Sequence, residues 1–257
     1  MCKVIAMFNQ KGGVGKTTTC VNLCCALHDM GRRVLVVDCD PQGHSSSGLG
    51  VNKANASPNT YHVLLENVPA EKAIVQTDYG DVIPCNKDLF GSGIQLSERE
   101  DRENILKKAL LPLKERYDYI FIDCPALLEL LTLNALCAAD SILVPVQCEY
   151  LALEGLSELM TTVKLMRKSL NPKLELEGVV LTMYDGRTNL SMQVAAAVKK
   201  HMKNAVFKIA IPRNVRLSEA PSHGMPVLRY DRSSKGALAY KALAEEIVKK
   251  NQSWEGK

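Results

Sequence analysis

The 257-residue sequence has no apolar run approaching the roughly 18 residues that a membrane-spanning helix needs, which excludes a bundle of such helices. It has nine cysteines but no C-x-x-C, and most of the nine fall inside apolar strand or helix patterns, so they read as buried free thiols rather than a disulfide framework. Its five histidines are scattered without ligand spacing, which argues against a zinc centre. Internal repeats, low-complexity tracts and long linkers are absent. The first strand-like run begins at Lys3, leaving no room for a signal peptide, and a cytoplasmic location is expected. With 46% hydrophobic and 23% charged residues the composition is that of an ordinary globular chain, and we expect a single nucleotide-binding domain over residues 1–257.

What the chain does have is Lys11-Gly12-Gly13-Val14-Gly15-Lys16-Thr17. In the phosphate-binding loop G-x-x-x-x-G-K-[ST], backbone N–H groups of a glycine-rich turn surround the phosphates, the lysine reaches β and γ oxygens, and the hydroxyl binds Mg²⁺. Here Gln10 replaces the opening glycine and Lys11 adds a lysine that the ordinary loop lacks. The apolar run Lys3 to Phe8 reads as a buried strand, and Thr17 to Met30 places Cys20, Leu23, Cys24 and Leu27 at helical spacing. A strand leading into the loop and a helix leaving it would aim the helix's unpaired N–H groups at the phosphates, with Lys16, Thr17 and Thr18 at the contact.

Further strand-like runs, Arg33 to Asp38, Tyr119 to Asp123, Ile142 to Val146, Val179 to Met183 and Phe207 to Ile211, alternate with helical patterns. That alternation predicts an α/β fold, a mainly parallel sheet with helices on both faces. Between Gly43 and Ser97 the pattern weakens, and loops and short elements are expected. Two strands end in carboxylates, where ligands of such sheets bind. Tyr119 to Asp123 has the form of a Walker B strand, so Asp123 is a candidate for the Mg²⁺ shell. Asp38 and Asp40, two apart, share one face of an extended strand end. Asp38 is assigned to the metal shell with Thr17, and Asp40 to holding the attacking water, since phosphoryl transfer depends mostly on positioning and charge neutralisation. The competing reading of Asp40 is a turn cap before Pro41 and Gly43.

The chain resembles the ParA/MinD superfamily of deviant-Walker ATPases, and within it the short chromosomal ParA type also called Soj. The resemblance covers nearly all 257 residues: Asn9-Gln10-Lys11 into the loop, Asp38 to Gly43, Pro145 to Tyr150, Leu181 to Asp185 with Arg187 to Leu190, and Pro212 to Ser222. It implies ATP and Mg²⁺ as cofactors and a homodimer sandwiching nucleotide, in which Lys11 of each subunit crosses to the other's phosphates. It places Pro212 and Asn214 beside the adenine base. One departure is Cys124-Pro125-Ala126-Leu127-Leu128-Glu129, where the family usually has a second proline followed by serine, leucine and glycine.

Charge points toward a polyanionic partner. Residues 1–174 hold 18 basic and 20 acidic groups, a net of −2, whereas residues 175–257 hold 14 and 8, a net of +6. Arg187, Lys199, Lys200, Lys203, Arg213, Arg216, Arg229 and Lys235 are candidates for a phosphate-contacting face that a dimer would present twice; on composition alone, Lys199, Lys200 and Lys203 read rather as the solvated side of an amphipathic helix, and it is the resemblance that favours the DNA face. The resemblance assigns DNA contact to Arg187 and Arg216, and implies a ParB-like centromere-binding protein as stimulating partner and residence on the nucleoid. No helix-turn-helix extension precedes the first strand, so binding of duplex DNA without sequence readout is expected.

Two other classes share the loop. A MinD-like positioning ATPase would need a C-terminal amphipathic membrane helix. Ala239 to Val248 carries an apolar stripe with Leu243 and Ile247, but Glu245 and Glu246 interrupt its polar side and Trp254 is almost alone as an interfacial aromatic, so docking on the core is expected and membrane binding is not. An electron carrier like nitrogenase reductase would use two cysteines per subunit for a cluster. Cys124 and Cys148 lack the glycine-flanked setting that this requires.

Overall fold

The computed structural model describes residues 2–255, with side chains through residue 252. Its centre is a six-stranded parallel sheet built from β1 (Lys3–Met7), β2 (Val34–Asp38), β3 (Asp81–Ile83), β4 (Tyr119–Asp123), β5 (Ser141–Gln147) and β6 (Glu175–Thr182), in the order β3-β2-β4-β1-β5-β6. Every residue of β1, β2 and β4 is buried, as expected for strands covered on both faces that read as continuous apolar runs.

Alternation along each strand divides the interior in two. Val4, Ala6, Leu35, Val37, Ile120, Ile122, Ile142 and Val144 face one layer. Ile5, Met7, Val34, Val36, Tyr119, Phe121 and Leu143 face the other. Helix α1 (Lys16–Asp29) lies on the second face, with Cys20, Leu23, Cys24 and Leu27 all buried as their spacing predicts. The segment from residue 43 to 97 is indeed made of short pieces, including α2 (His44–Gly48), α3 (Thr60–Leu65) and α4 (Ser92–Ser97), together with the edge strand β3. Then come α5 (Ile105–Leu110), α6 (Leu130–Ala138), α7 (Ala152–Ser169), α8 (Asn189–Met202), α9 (Val215–Glu219), α10 (Val227–Tyr230) and α11 (Lys235–Glu255). The stripe predicted on α11 is docked: Tyr240, Leu243, Ala244 and Ile247 are buried in the cluster that holds α1, and Thr19 and Tyr240 share a hydrogen bond of 3.1 Å. The side chain of Trp254 lies outside the described residues.

One expected strand does not form. Phe207 to Ile211 bonds to β6 only at its ends, Phe207 N–H to Val179 O at 2.9 Å and Ile211 N–H to Leu181 O at 2.8 Å. Between them the carboxylate of Glu246, on α11, accepts the N–H groups of Lys208 (2.8 Å) and Ile209 (3.1 Å). A helix side chain thus takes the donors that a ladder would need, and an apolar run with strand character is held as an irregular segment. At the opposite edge Val75 exchanges two backbone hydrogen bonds with Val82 of β3, at 2.8 and 2.9 Å.

Candidate nucleotide site and basic face

Strand order places β2, β4 and β1 side by side, and their in-register ends bring Asp38 next to Asp123 and Asp123 next to Met7. The carboxyl ends of three neighbouring strands therefore converge on the loop that leaves β1. Gly15, at φ +91°, is the N-cap of α1, and this left-handed turn is what lets the loop wrap toward its own helix. Thr182 at the end of β6 donates its hydroxyl to Val14 O at 2.8 Å, and Asn9 Nδ2 donates to Pro145 O at 2.8 Å, pinning the loop to strands on its other side.

The loop's two lysines part company. Lys16 is buried, with its Nζ donating to Lys11 O at 3.2 Å. Burial lowers its pKa, and the charge of Asp123 opposes that shift. Lys11 is partly exposed, and its ammonium pairs with Glu149 at 3.2 Å.

Asp123 is fully buried. Its Oδ2 accepts from Thr17 Oγ1 at 2.8 Å and from Ser45 Oγ at 2.6 Å, whereas Oδ1 has no hydrogen-bond partner among the described residues. Desolvation raises its pKa to about 6, against the two hydroxyls that favour the anion. An orphaned buried carboxylate oxygen beside a threonine hydroxyl is a donor set of hard oxygens, which is what Mg²⁺ takes. The residues present therefore fit this ion, with Thr17 and Asp123 placed to hold it.

Asp38 stands beside Asp123 but is committed elsewhere. Its Oδ2 accepts from Ser46 N (2.8 Å) and Ser46 Oγ (2.6 Å), and its Oδ1 from Asp40 N (3.2 Å). Burial first, then the Asp123 charge, pushes its pKa to about 8. Asp38 thus fastens the segment from Asp40 to Ser46 to the sheet. Asp40 is half-buried, and its Oδ1 accepts from Gln42 N at 2.9 Å, so the side chain caps the turn in this conformation, as its alternative reading anticipated. Gly43, at φ +61°, closes that turn against the chain, where a Cβ would lie 2.4 Å from Cys85 O. Asp40 also faces a cavity of about 620 Å³ whose other wall includes Pro125, Ala126, Leu127 and Glu129, the segment that departs from the family pattern.

Sequence reasoning missed Ser45 and Ser46. They lie in His44-Ser45-Ser46-Ser47, a run that looks like loop, and only the distance to two buried carboxylates reveals their use. Pro212 pairs with Tyr184 just past β6, and Asn214 caps α9 by accepting from Arg216 N at 2.9 Å, so both lie near the strand end that touches the P-loop. Gly12, Gly13 and Val14 complete the loop; an added Cβ at Gly12 or Gly13 would meet nothing within 4 Å among the described residues, which leaves room there for a ligand. Thr18 follows at the start of α1. Cys124 and Cys148, after β4 and β5, are both buried.

The basic candidates fall into two groups. Arg187 and Arg213 meet around residues 184–185: Arg187 donates twice to Asp185, at 2.9 and 2.8 Å, and Arg213 N–H donates to Tyr184 O at 3.0 Å. The Arg187 hydrogen bonds hold the Asp185 carboxyl down to about 2. Arg216 follows on α9, held by Glu219 at 2.8 Å and Asp231 at 3.3 Å, with its guanidinium 6.0 Å from the Tyr230 ring centroid. Lys199 and Lys200 are exposed at the far end of α8, roughly 15 Å along the helix from its start near Arg187. Lys203 is exposed beyond the helix, at its C-cap with φ +46°, and so does not continue that helix face.

A family model described as an AAA domain matches residues 2–176. The sporulation initiation inhibitor protein Soj of Bacillus subtilis (strain 168) is 54% identical, over 96% of this chain and 99% of its own length. The chromosome partitioning protein ParA of Myxococcus xanthus (strain DK1622) is 49% identical, over 97% and 89%. Among solved structures, a cobyrinic acid a,c-diamide synthase from Mycobacterium smegmatis with bound ADP and magnesium superposes with a TM-score of 0.86 at 38% identity, covering 100% of this chain and 97% of that one.

Proposed function

The chain belongs to the AAA-domain family that includes the Soj and ParA chromosome-partitioning proteins, and on that premise we propose that it is an ATP-dependent DNA-segregation switch. It is a Mg²⁺-using P-loop ATPase; ATP makes a sandwich dimer, the dimer binds duplex DNA without regard to sequence, and hydrolysis, stimulated by a ParB-like partner, releases it. Residues 1–257 act as one nucleotide-binding unit on the nucleoid in the cytoplasm.

The observation that carries this reading is the divergence of the two lysines: Lys16 turned inward against its own loop, Lys11 turned outward and partly exposed. Lys16 serves the β and γ oxygens of its own nucleotide, with the backbone N–H groups from Gly12 to Thr18 around them. An outward cation on the same loop suits the phosphates of a second subunit, where it acts as an arginine finger does. Thr17 and Asp123 would hold Mg²⁺, which when bound would supply charge neutralisation to the phosphates. Asp38 sets the Asp40 turn, and Asp40 releases Gln42 to hold the attacking water. Pro212 and Asn214 flank the base. Arg187, Arg213 and Arg216 contact DNA phosphates, with Lys199, Lys200 and Lys203 extending the field.

The test is duplex DNA binding without nucleotide, with ADP and with ATP across a salt series, alongside Asp40→Ala and Arg216→Ala. ATP-dependent, salt-weakened binding that survives Asp40→Ala and is lost in Arg216→Ala is expected. Binding to liposomes with ATP, and none to DNA, would instead favour a membrane-positioning role like that of MinD.

A further inference from the structure

We propose that Glu149 is a latch on Lys11: it holds the lysine's ammonium in the nucleotide-free subunit, and ATP-driven pairing begins by breaking this contact. The inference rests on the reading of Lys11 as the residue that crosses between subunits.

The main chain of Lys11 is fixed at both ends. Its N–H donates to Asn9 Oδ1 at 3.0 Å, its carbonyl accepts from Lys16 Nζ at 3.2 Å, and Asn9 is itself tied to Pro145 O on β5. Only the side chain is left to move. Glu149, in the turn just after β5, meets it with Oε2 at 3.2 Å. That carboxylate is aimed by its own neighbours: Glu149 N–H donates to Gln147 O at 2.8 Å, and the Gln147 side-chain amide donates to Glu149 Oε1. The same strand thus anchors the loop through Pro145 and restrains its outward lysine through Glu149.

The pair is easily opened. The side chains are 38% and 49% exposed, so water screens the attraction and the contact is weak. A triphosphate carries several negative charges against the single charge of Glu149, so the lysine changes partner when a nucleotide-loaded subunit approaches. Until then the cation is neutralised and held to one subunit, which suppresses pairing without nucleotide.

The experiment uses the full chain and Glu149→Gln, which keeps the size and removes the charge. Lys11 acetylation by an amine-reactive reagent without nucleotide, read by peptide mass spectrometry, is expected to run about two- to five-fold faster in the variant, with other exposed lysines unchanged. The ATP concentration for half-maximal dimer in sedimentation is expected to fall by a similar factor. Unchanged Lys11 labelling overturns the latch, because no phosphate is present in that measurement to confuse it. Faster labelling with an unchanged or raised ATP midpoint overturns its role in pairing. If the unaltered protein forms no dimer with ATP, the crossing-lysine reading falls, while labelling still decides the contact. Coincident thermal melts confirm that the variant is folded.

Discussion

Asp38 and Asp123 are directly opposed in adjacent parallel strands, both fully buried, yet they serve different tasks: one binds the Asp40–Ser46 turn, the other keeps an oxygen free beside Thr17. Burial is the larger cause of the raised pKa of both, with the Asp123 charge adding to it at Asp38 and the Asp40 charge adding to it at Asp123.

Stability of the metal-free protein should therefore fall as pH rises from about 4 to about 8. Both folded-state pKa values lie above the ordinary carboxylate value, so the folded chain binds more protons than the unfolded one in that window and loses stability through it. Thermal melts in chelator across this range should show the decline, with a smaller slope for Asp38→Asn. A melting temperature that rises through the window would contradict the assignment.

Ser45→Ala removes one of two donors to a buried anion. A loss of about 1–3 kcal/mol is expected from leaving that oxygen less satisfied. Mg²⁺ should recover much of the loss by stabilising the carboxylate, so the variant's melting temperature should respond more strongly to Mg²⁺ than that of the unaltered chain.

Lys16→Met should abolish ATP binding, measured by titration calorimetry, while leaving the fold intact. The lysine is buried and its charge is disfavoured there, so removal should leave stability unchanged or raise it by about 1 kcal/mol.

Gly43→Ala is expected to cost about 2 kcal/mol or more, because a positive φ and a contact of 2.4 Å with backbone must both be relieved. Gly12→Ala, with open space and no positive φ, should melt like the unaltered protein. Equal melting temperatures for the two variants would refute the argument.

On the proposed contact of Arg216 with DNA, Glu219→Gln should strengthen ATP-dependent binding about two- to five-fold at low salt, since phosphate and Glu219 would compete for the same guanidinium. Fluorescence anisotropy would read the change, and it should vanish in an Arg216→Ala background.

The site was legible in proportion to how local its signals are. Lys11 to Thr17 and the strand ending in Asp123 carry their chemistry in consecutive residues, and four of the expected strands besides β1 are present within a few positions. Ser45, Ser46 and Glu149 were not legible as site groups, because their meaning is a distance to residues 78, 8 and 138 positions away. Phe207 to Ile211 misled for the same reason: its strand character is genuine, and a carboxylate on α11 overrides it. β3 is only three residues long and lay below the length at which a pattern can be read.

The irregular segments beside β3 and β6 also bear on how copies of this chain can meet. Val75 occupies backbone groups on the outer side of β3, and the amides of Phe207 and Ile211 take carbonyls of β6. An exposed strand edge templates another strand, and fibres and swapped dimers grow that way. With both margins capped by short irregular stretches, the sheet is a poor seed for such growth.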